Sequence, residues 1–206
     1  STIIEVEKAY GKTPKEFYRQ LQKMSYGEPS QIKGIDALEQ AVFLNPDSAQ
    51  WKRDILGYSA IGCYQRIAPI QILAFYNAIA NNGRMIKPAL YKGNIETINP
   101  QIASESNIDS LRQALARNVI DGLGRAAQSK KVSVAGIQGT CQISVEDDAI
   151  DDKSNTEYAA EFCGYFPAVN PQYSMIVSIN KKELPVSGGL MAGDVFRKVV
   201  DCIIGE

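Results

Sequence analysis

The order of its segments constrains this chain more than any other feature. Helix-like sequence comes first, three β-rich runs follow, and a helical stretch closes the chain. The runs are Val132–Ile143, Ala159–Phe166 and Tyr173–Ile179, each rich in β-branched or aromatic residues. Pro167-Ala168-Val169-Asn170-Pro171 has the turn chemistry to join the last two as a hairpin. Helices, then a meander of strands, then a helix over the sheet is α+β order. A single domain is expected over residues 1–206, with a helical part to about residue 128 and the strands and closing helix from about residue 130.

The helical part can be read piece by piece. Residues 1–10 place Ile3, Val6 and Tyr10 near one face, with Ser1 as a candidate cap. The segment reads as a helix cut rather than begun, so a piece of a longer protein is expected. Thr13-Pro14-Lys15-Glu16 predicts a capping box with proline in the first turn. Phe17, Leu21 and Met24 make the apolar stripe, and Gly27 the stop. Residues 28–57 read as loop, with Trp51 packed on a core. Residues 69–82 are apolar nearly all round, which predicts a buried helix closed by Asn82-Gly83. Lys87–Asn99 is short and extended. Ser104 or Ser106 then caps a helix facing inward with Ile108, Leu111, Leu115 and Val119, which Gly122 and Gly124 end. Gly188-Gly189 opens the closing helix, with Leu190, Val195, Phe196, Val199 and Ile203 expected inward.

Composition removes whole classes of function. A chain of 206 residues can bury a core without a staple. With 45% apolar and 22% charged residues it is not a disordered chain. A net charge of −1 provides no basic field for nucleic acid. No apolar run reaches the length of a transmembrane helix. There is no histidine, so Ser-His-Asp and Cys-His catalysis and His-ligated zinc are excluded. Acid–base work must fall to Lys, carboxylates, Tyr or Cys. Cys63, Cys141, Cys163 and Cys202 form no CxxC pair. Small apolar fillers are the favoured reading, and two disulfides the alternative.

Several stretches then carry a resemblance. Ala60-Ile61-Gly62, Pro69-Ile70-Gln71, Tyr76–Gly83 and Lys87-Pro88 run in order, followed by Gly122-Leu123-Gly124-Arg125-Ala126. Val134–Gln142 reads V-A-G-I-Q-G-T-C-Q against a strand written V-A-G-K-T-G-T-A-Q. Phe162–Ala168, Asn170-Pro171, and Gly188-Gly189 with Phe196 complete the set. Together they resemble the second half of a penicillin-binding protein transpeptidase domain, most like the class B, division-type enzymes. The fold implied is β-lactamase/transpeptidase-like α+β. It has an antiparallel sheet flanked by helices, incomplete because its N-terminal strands are missing.

In that family S-x-x-K, S-x-N and K-T-G carry the chemistry. The serine attacks a carbonyl of the peptidoglycan stem peptide or of a β-lactam, and a Lys can take its proton. The resemblance sets the first two motifs upstream of Ser1, so no catalytic residue is assigned within the chain. The third motif lies inside it and is altered to Ile137-Gln138-Gly139. With Thr140, these are the candidate substrate-binding residues. Ile137 deletes the cation that would face a carboxylate. A contact of that kind is worth about 1.5–3 kcal/mol, or roughly ten- to a hundredfold in affinity. Gln138 can still donate and accept. Gly139 permits close approach, and Thr140 keeps the backbone N–H that the family aims at the oxyanion.

Ser30-Gln31-Ile32-Lys33 and Ser178-Ile179-Asn180 spell the first two motifs but are read as coincidences, one in a loop and one at a strand end. Cys141 is read as packing, and Glu146, Asp147, Asp148, Asp151 and Asp152 as a solvated acidic loop rather than a calcium site. No cofactor or metal is expected. The resemblance implies a stem peptide or β-lactam as ligand of the intact domain, and division or cell-wall proteins as partners. It also implies a place at the periplasmic face of the bacterial inner membrane, with the anchor outside this chain. Run 173–179 would be left as an unpaired edge, which predicts edge-to-edge dimerisation or a rearranged sheet. Inability to acylate alone is the first reading, and a binding or scaffold module the alternative.

Overall fold

The computed structural model describes residues 2–32, 34–35, 38–143, 157–182 and 184–205. Ser1, Lys33 and the acidic residues Glu146, Asp147, Asp148, Asp151 and Asp152 lie outside the described residues. Two compact units divide the chain. The first runs through Phe75 and takes in Arg84–Ile102; the second holds Tyr76–Gly83 and the chain from Ala103 onward.

The first unit contains α1 (Thr2–Tyr10), α2 (Pro14–Lys23), β1 (Val42–Phe43), α3 (Ile55–Ser59), β2 (Gln65–Arg66), the start of α4 (Pro69–Ala80), β3 (Met85–Ile86) and β4 (Thr97–Asn99). On α1, Ile3, Val6 and Tyr10 are half-buried, as their spacing predicts. Pro14 starts α2, but Thr13 makes no side-chain cap, so the expected capping box does not form. Glu16 instead accepts from Gln20 Nε2 at 2.6 Å, one helical turn on. The stop also differs, because Ser25 (φ +55°) makes the first left-handed step and Gly27 (φ +93°) only follows it. Trp51 meets Tyr18 edge to face at 5.7 Å. The buried Tyr18 hydroxyl reaches the Leu44 carbonyl at 2.9 Å and Ser59 at 3.0 Å.

The second unit carries the sheet. Its elements are the end of α4, α5 (Glu105–Ile120), a 3-10 turn (Arg125–Ala127), β5 (Ala135–Ile143), β6 (Glu157–Phe166), β7 (Tyr173–Lys182), a π-helical turn (Gly188–Ala192) and α6 (Gly193–Gly205). The sheet order is β5-β6-β7, antiparallel throughout. The Pro-rich turn does join β6 to β7, with Tyr173 opposite Phe166. β6 is the middle strand and is buried on both faces from Phe162 to Phe166, which explains its unbroken apolar run. One face carries Phe162, Phe166, Val177 and Ile179 into a core with Phe196, Val200, Val119 and Ala127. Phe162 and Phe196 meet edge to face at 4.9 Å.

Two helices depart from expectation. Ser104 caps α5, and Ile108, Leu115 and Val119 are buried, but Leu111 is 41% exposed. In α6 only Phe196 of the expected inward set is buried. Val200 and Ala192 take the other inward places, while Leu190, Val195, Val199 and Ile203 face out. Phe196 and Val200 lie one helical turn apart, so the covered face of α6 is the stripe they share, and Val195 and Val199 fall beside it. Among the described residues no strand pairs with the outer edge of β7, and no helix is long and apolar enough to cross a membrane.

Candidate functional site

The four residues Ile137-Gln138-Gly139-Thr140 lie in the middle of β5. Strand alternation divides them. Ile137 stands opposite Cys163 on β6 and is 38% exposed. Gln138 stands opposite Phe162, on the face that holds the core. No cation takes the place of the missing lysine on β5 itself. The buried Cys163 thiol is pushed up by loss of solvation, and the Glu161 carboxylate adds to the shift.

Two elements press on this stretch. The first is the Gly188-Gly189 turn. A Cβ on Gly188 would fall 2.0 Å from the Gly139 carbonyl oxygen, so only glycine admits this approach. The Gly188 N–H donates to Thr140 Oγ1 at 2.9 Å. The second is the C-terminal turn of α5. Asn118 Nδ2 donates to the Gly136 carbonyl at 2.8 Å and to Gln138 Oε1 at 2.9 Å, using both of its N–H groups. Gly122 and Gly124 curl around this side chain. A Cβ on either would come within 2.8 Å of Asn118.

Sequence reasoning missed Asn118. Its one signal is a poor helix former inside a helix, next to a Gly-x-Gly turn. The glycine-rich turn and the strand each stood out alone, but nothing local joins them.

The rest of the unit holds this wall in register. Arg112 donates to Asn82 Oδ1 at 2.7 Å and to the Val169 carbonyl at 3.0 Å. Arg197 pairs with Asp194 at 2.8 Å and Asp201 at 2.9 Å. Ser129 donates to Asp201, and Lys131 reaches the Asp201 carbonyl, so α6 is tied to the segment that enters β5. Both carboxyls are held below the usual range, Asp194 chiefly by Lys198 and Asp201 chiefly by Ser129.

The remaining candidates come together nowhere. Ser30 sits in a bend, its N–H donating to Glu28 Oε2 at 2.7 Å. Ser178 lies inside β7 and donates to Glu161 Oε1 at 2.9 Å. None of the four cysteines is in a disulfide, which removes the disulfide alternative. The filler reading holds only for Cys163, because Cys63, Cys141 and Cys202 are exposed. No group of metal-binding side chains occurs among the described residues.

The comparisons agree with this geometry. Residues 3–201 match the family model described as "Penicillin binding protein transpeptidase domain". The chain belongs to that family. It is 23% identical over 210 residues to penicillin-binding protein PbpB of Mycolicibacterium smegmatis, covering 93% of this chain and 32% of that protein. It is 24% identical over 162 residues to the peptidoglycan D,D-transpeptidase FtsI homolog of Mesostigma viride, covering 67% of this chain and 27% of that protein. It thus spans less than a third of either relative. Among solved structures, the transpeptidase domain of penicillin-binding protein 3 from Burkholderia pseudomallei superposes with a TM-score of 0.77. That match is 22% identical and covers 93% of this chain and 57% of the other. The α+β transpeptidase fold, with its antiparallel sheet flanked by helices, is therefore that of the penicillin-binding proteins.

Proposed function

We propose that this chain is a part, or a degenerate form, of a division-type peptidoglycan D,D-transpeptidase domain that does not acylate by itself. One observation carries the reading: the strand that should read Lys-Thr-Gly reads Ile137-Gln138-Gly139, with Ile137 exposed where the family has its cation. Ser30 and Ser178 support it, because neither starts a helix as a nucleophile would, and Ser178 already donates to Glu161. Residues 1–206 then act as one partial domain whose β5 forms one wall of a cleft for a stem peptide or a β-lactam. From the extracytoplasmic setting of its family we infer that it works at the periplasmic face of the bacterial inner membrane.

A second reading, a binding or scaffold module of the cell-wall or division machinery, is favoured by the outer edge of β7, which pairs with no strand among the described residues. Such an edge can pair with another strand, including β7 of a second copy. Fluorescent penicillin is the test. No covalent labelling of this chain is expected. Labelling of any serine within it overturns the reading, and labelling confined to a longer protein returns the activity to an upstream nucleophile.

A further inference from the structure

A cavity of about 650 Å³ opens between the 3-10 turn Arg125–Ala127 and the first turns of α6, and no β5 residue lines it. Among the described residues in its wall are three cations, Arg125, Lys130 and Arg197, and one carboxylate, Asp194. That carboxylate is already taken, because it pairs with Arg197 Nη2 and with Lys198 Nζ, each at 2.8 Å. Arg197 in turn holds Asp201 at 2.9 Å, and Asp201 also accepts from Ser129. This internal network fixes one side of the cavity. Arg125 and Lys130 stand outside it, exposed and paired with no carboxylate among the described residues. The chain as a whole carries a charge of −1, so the positive excess here is local and not a share of a basic surface. Like charges gathered around one concavity repel, and an anion seated between them offsets that cost.

We propose that this cavity binds the phosphate group of a phosphorylated ligand, with Arg125, Lys130 and Arg197 as its donors. The three cations come from three stretches of chain, the 3-10 turn, the segment that enters β5, and α6. They therefore reach a bound group from different directions. A phosphate presents oxygens in three directions, whereas a carboxylate presents two in one plane. An arginine fork can take two phosphate oxygens together while a lysine acts beside it as a point charge. The volume lies within the range of small-molecule sites, roughly 300–1,000 Å³, so room remains for the group esterified to the phosphate. A neighbouring cavity of about 330 Å³ shares Gln128, Ser129 and Lys130 and is otherwise mainly apolar, with Val119, Ile120, Val132 and Val134 in its wall. A hydrocarbon carried by the phosphate has an apolar slot within reach there. The site is separate from the β5 wall and stands or falls independently of the transpeptidase reading.

The test uses the whole chain, labelled with nitrogen-15, and three probes: glycerol 3-phosphate, dihexanoyl phosphatidic acid, and an acetylated, amidated Glu-Glu dipeptide of similar charge. With glycerol 3-phosphate the backbone amides of Gln128, Ser129, Lys130, Asp194 and Arg197 should shift, and those of Ile137–Thr140 should stay still. Shifts confined to Ile137–Thr140 overturn the proposal, as does the absence of any shift with both phosphate probes. Arg125→Gln and Lys130→Gln remove exposed side chains outside the network, so both variants should keep the urea midpoint of the unsubstituted chain. Each should weaken glycerol 3-phosphate binding about fivefold. Unchanged affinity in both variants overturns the assignment of these donors. Equal affinity for the acidic dipeptide means that the cavity reads charge alone, and overturns the assignment of phosphate. Tighter binding of dihexanoyl phosphatidic acid, with shifts at Val119 and Val132, supports the site and identifies its ligand as a lipid headgroup. Equal binding of the two phosphates, with those valines still, supports it with a soluble phosphate ester as ligand.

Discussion

β5 and β7 are the two outer strands of one sheet, and they end that sheet in different ways. α5 lays Asn118 on β5, and the Gly188-Gly189 turn lies across Gly139 and Thr140. The polar groups of β5 are therefore fixed by elements far away in sequence. β7 sends Val177 and Ile179 into the core beneath it, but its outer edge meets no strand among the described residues. Its charge is gathered at one end, at Lys181 and Lys182. An edge held by tertiary contacts can be shaped into a site, while an edge left bare remains a surface for pairing.

The largest expected effect tests what the two edges share. Phe162→Ala empties the core under both strands and should cost about 3–5 kcal/mol in denaturant unfolding. A cost below about 2 kcal/mol would mean that the edges do not rest on a common core. Gly188→Ala separates them. Its new methyl meets the Gly139 carbonyl, so β5 should shift at a cost of about 1–3 kcal/mol. Chemical shifts should move along β5 and stay still along the outer face of β7; equal movement in both removes the contrast. Asn118→Ala leaves the Gly136 carbonyl and Gln138 without their donor, and about 1 kcal/mol should be lost.

At the bare edge, Ser178→Lys places a charge in mid-strand on an exposed position. Stability should change by no more than about 0.5 kcal/mol. Light scattering should nevertheless find the variant monomeric if the unsubstituted chain pairs through β7. A dimer that survives the substitution uses another surface. The smallest effect concerns the tie between α6 and the start of β5. The folded-state values of Asp194 and Asp201 are depressed, so their contribution is present above the unfolded carboxylate range. It is lost as pH falls through the folded values. Asp201→Asn should therefore lower the urea midpoint near neutrality, by less than the core substitutions do, and leave the acid end unchanged, so that the acid side of the stability–pH series flattens.

Much of this fold is legible from local pattern. The runs rich in β-branched or aromatic residues, the Pro167–Pro171 turn and the Ser104 cap each declare themselves within a few residues. The Val134–Gln142 motif marks the candidate wall and its lost lysine in the same way. What the pattern misread depends on packing. Leu111, Val195, Val199 and Ile203 are apolar at helical spacing yet exposed, because burial follows the face that a neighbour covers. For α6 that face is the one Phe196 and Val200 share, packed in the core with Phe162 and Phe166.

Residue chemistry alone determined that this chain works without histidine and carries an isoleucine where its family carries a cation. Only the tertiary structure decided which way the neighbouring glutamine points. The hydrogen bond from Asn118 to Gln138 spans twenty positions and exists only once α5 has docked on β5. A contact between residues so far apart leaves no local trace, because each of them could satisfy its amide elsewhere in an extended chain.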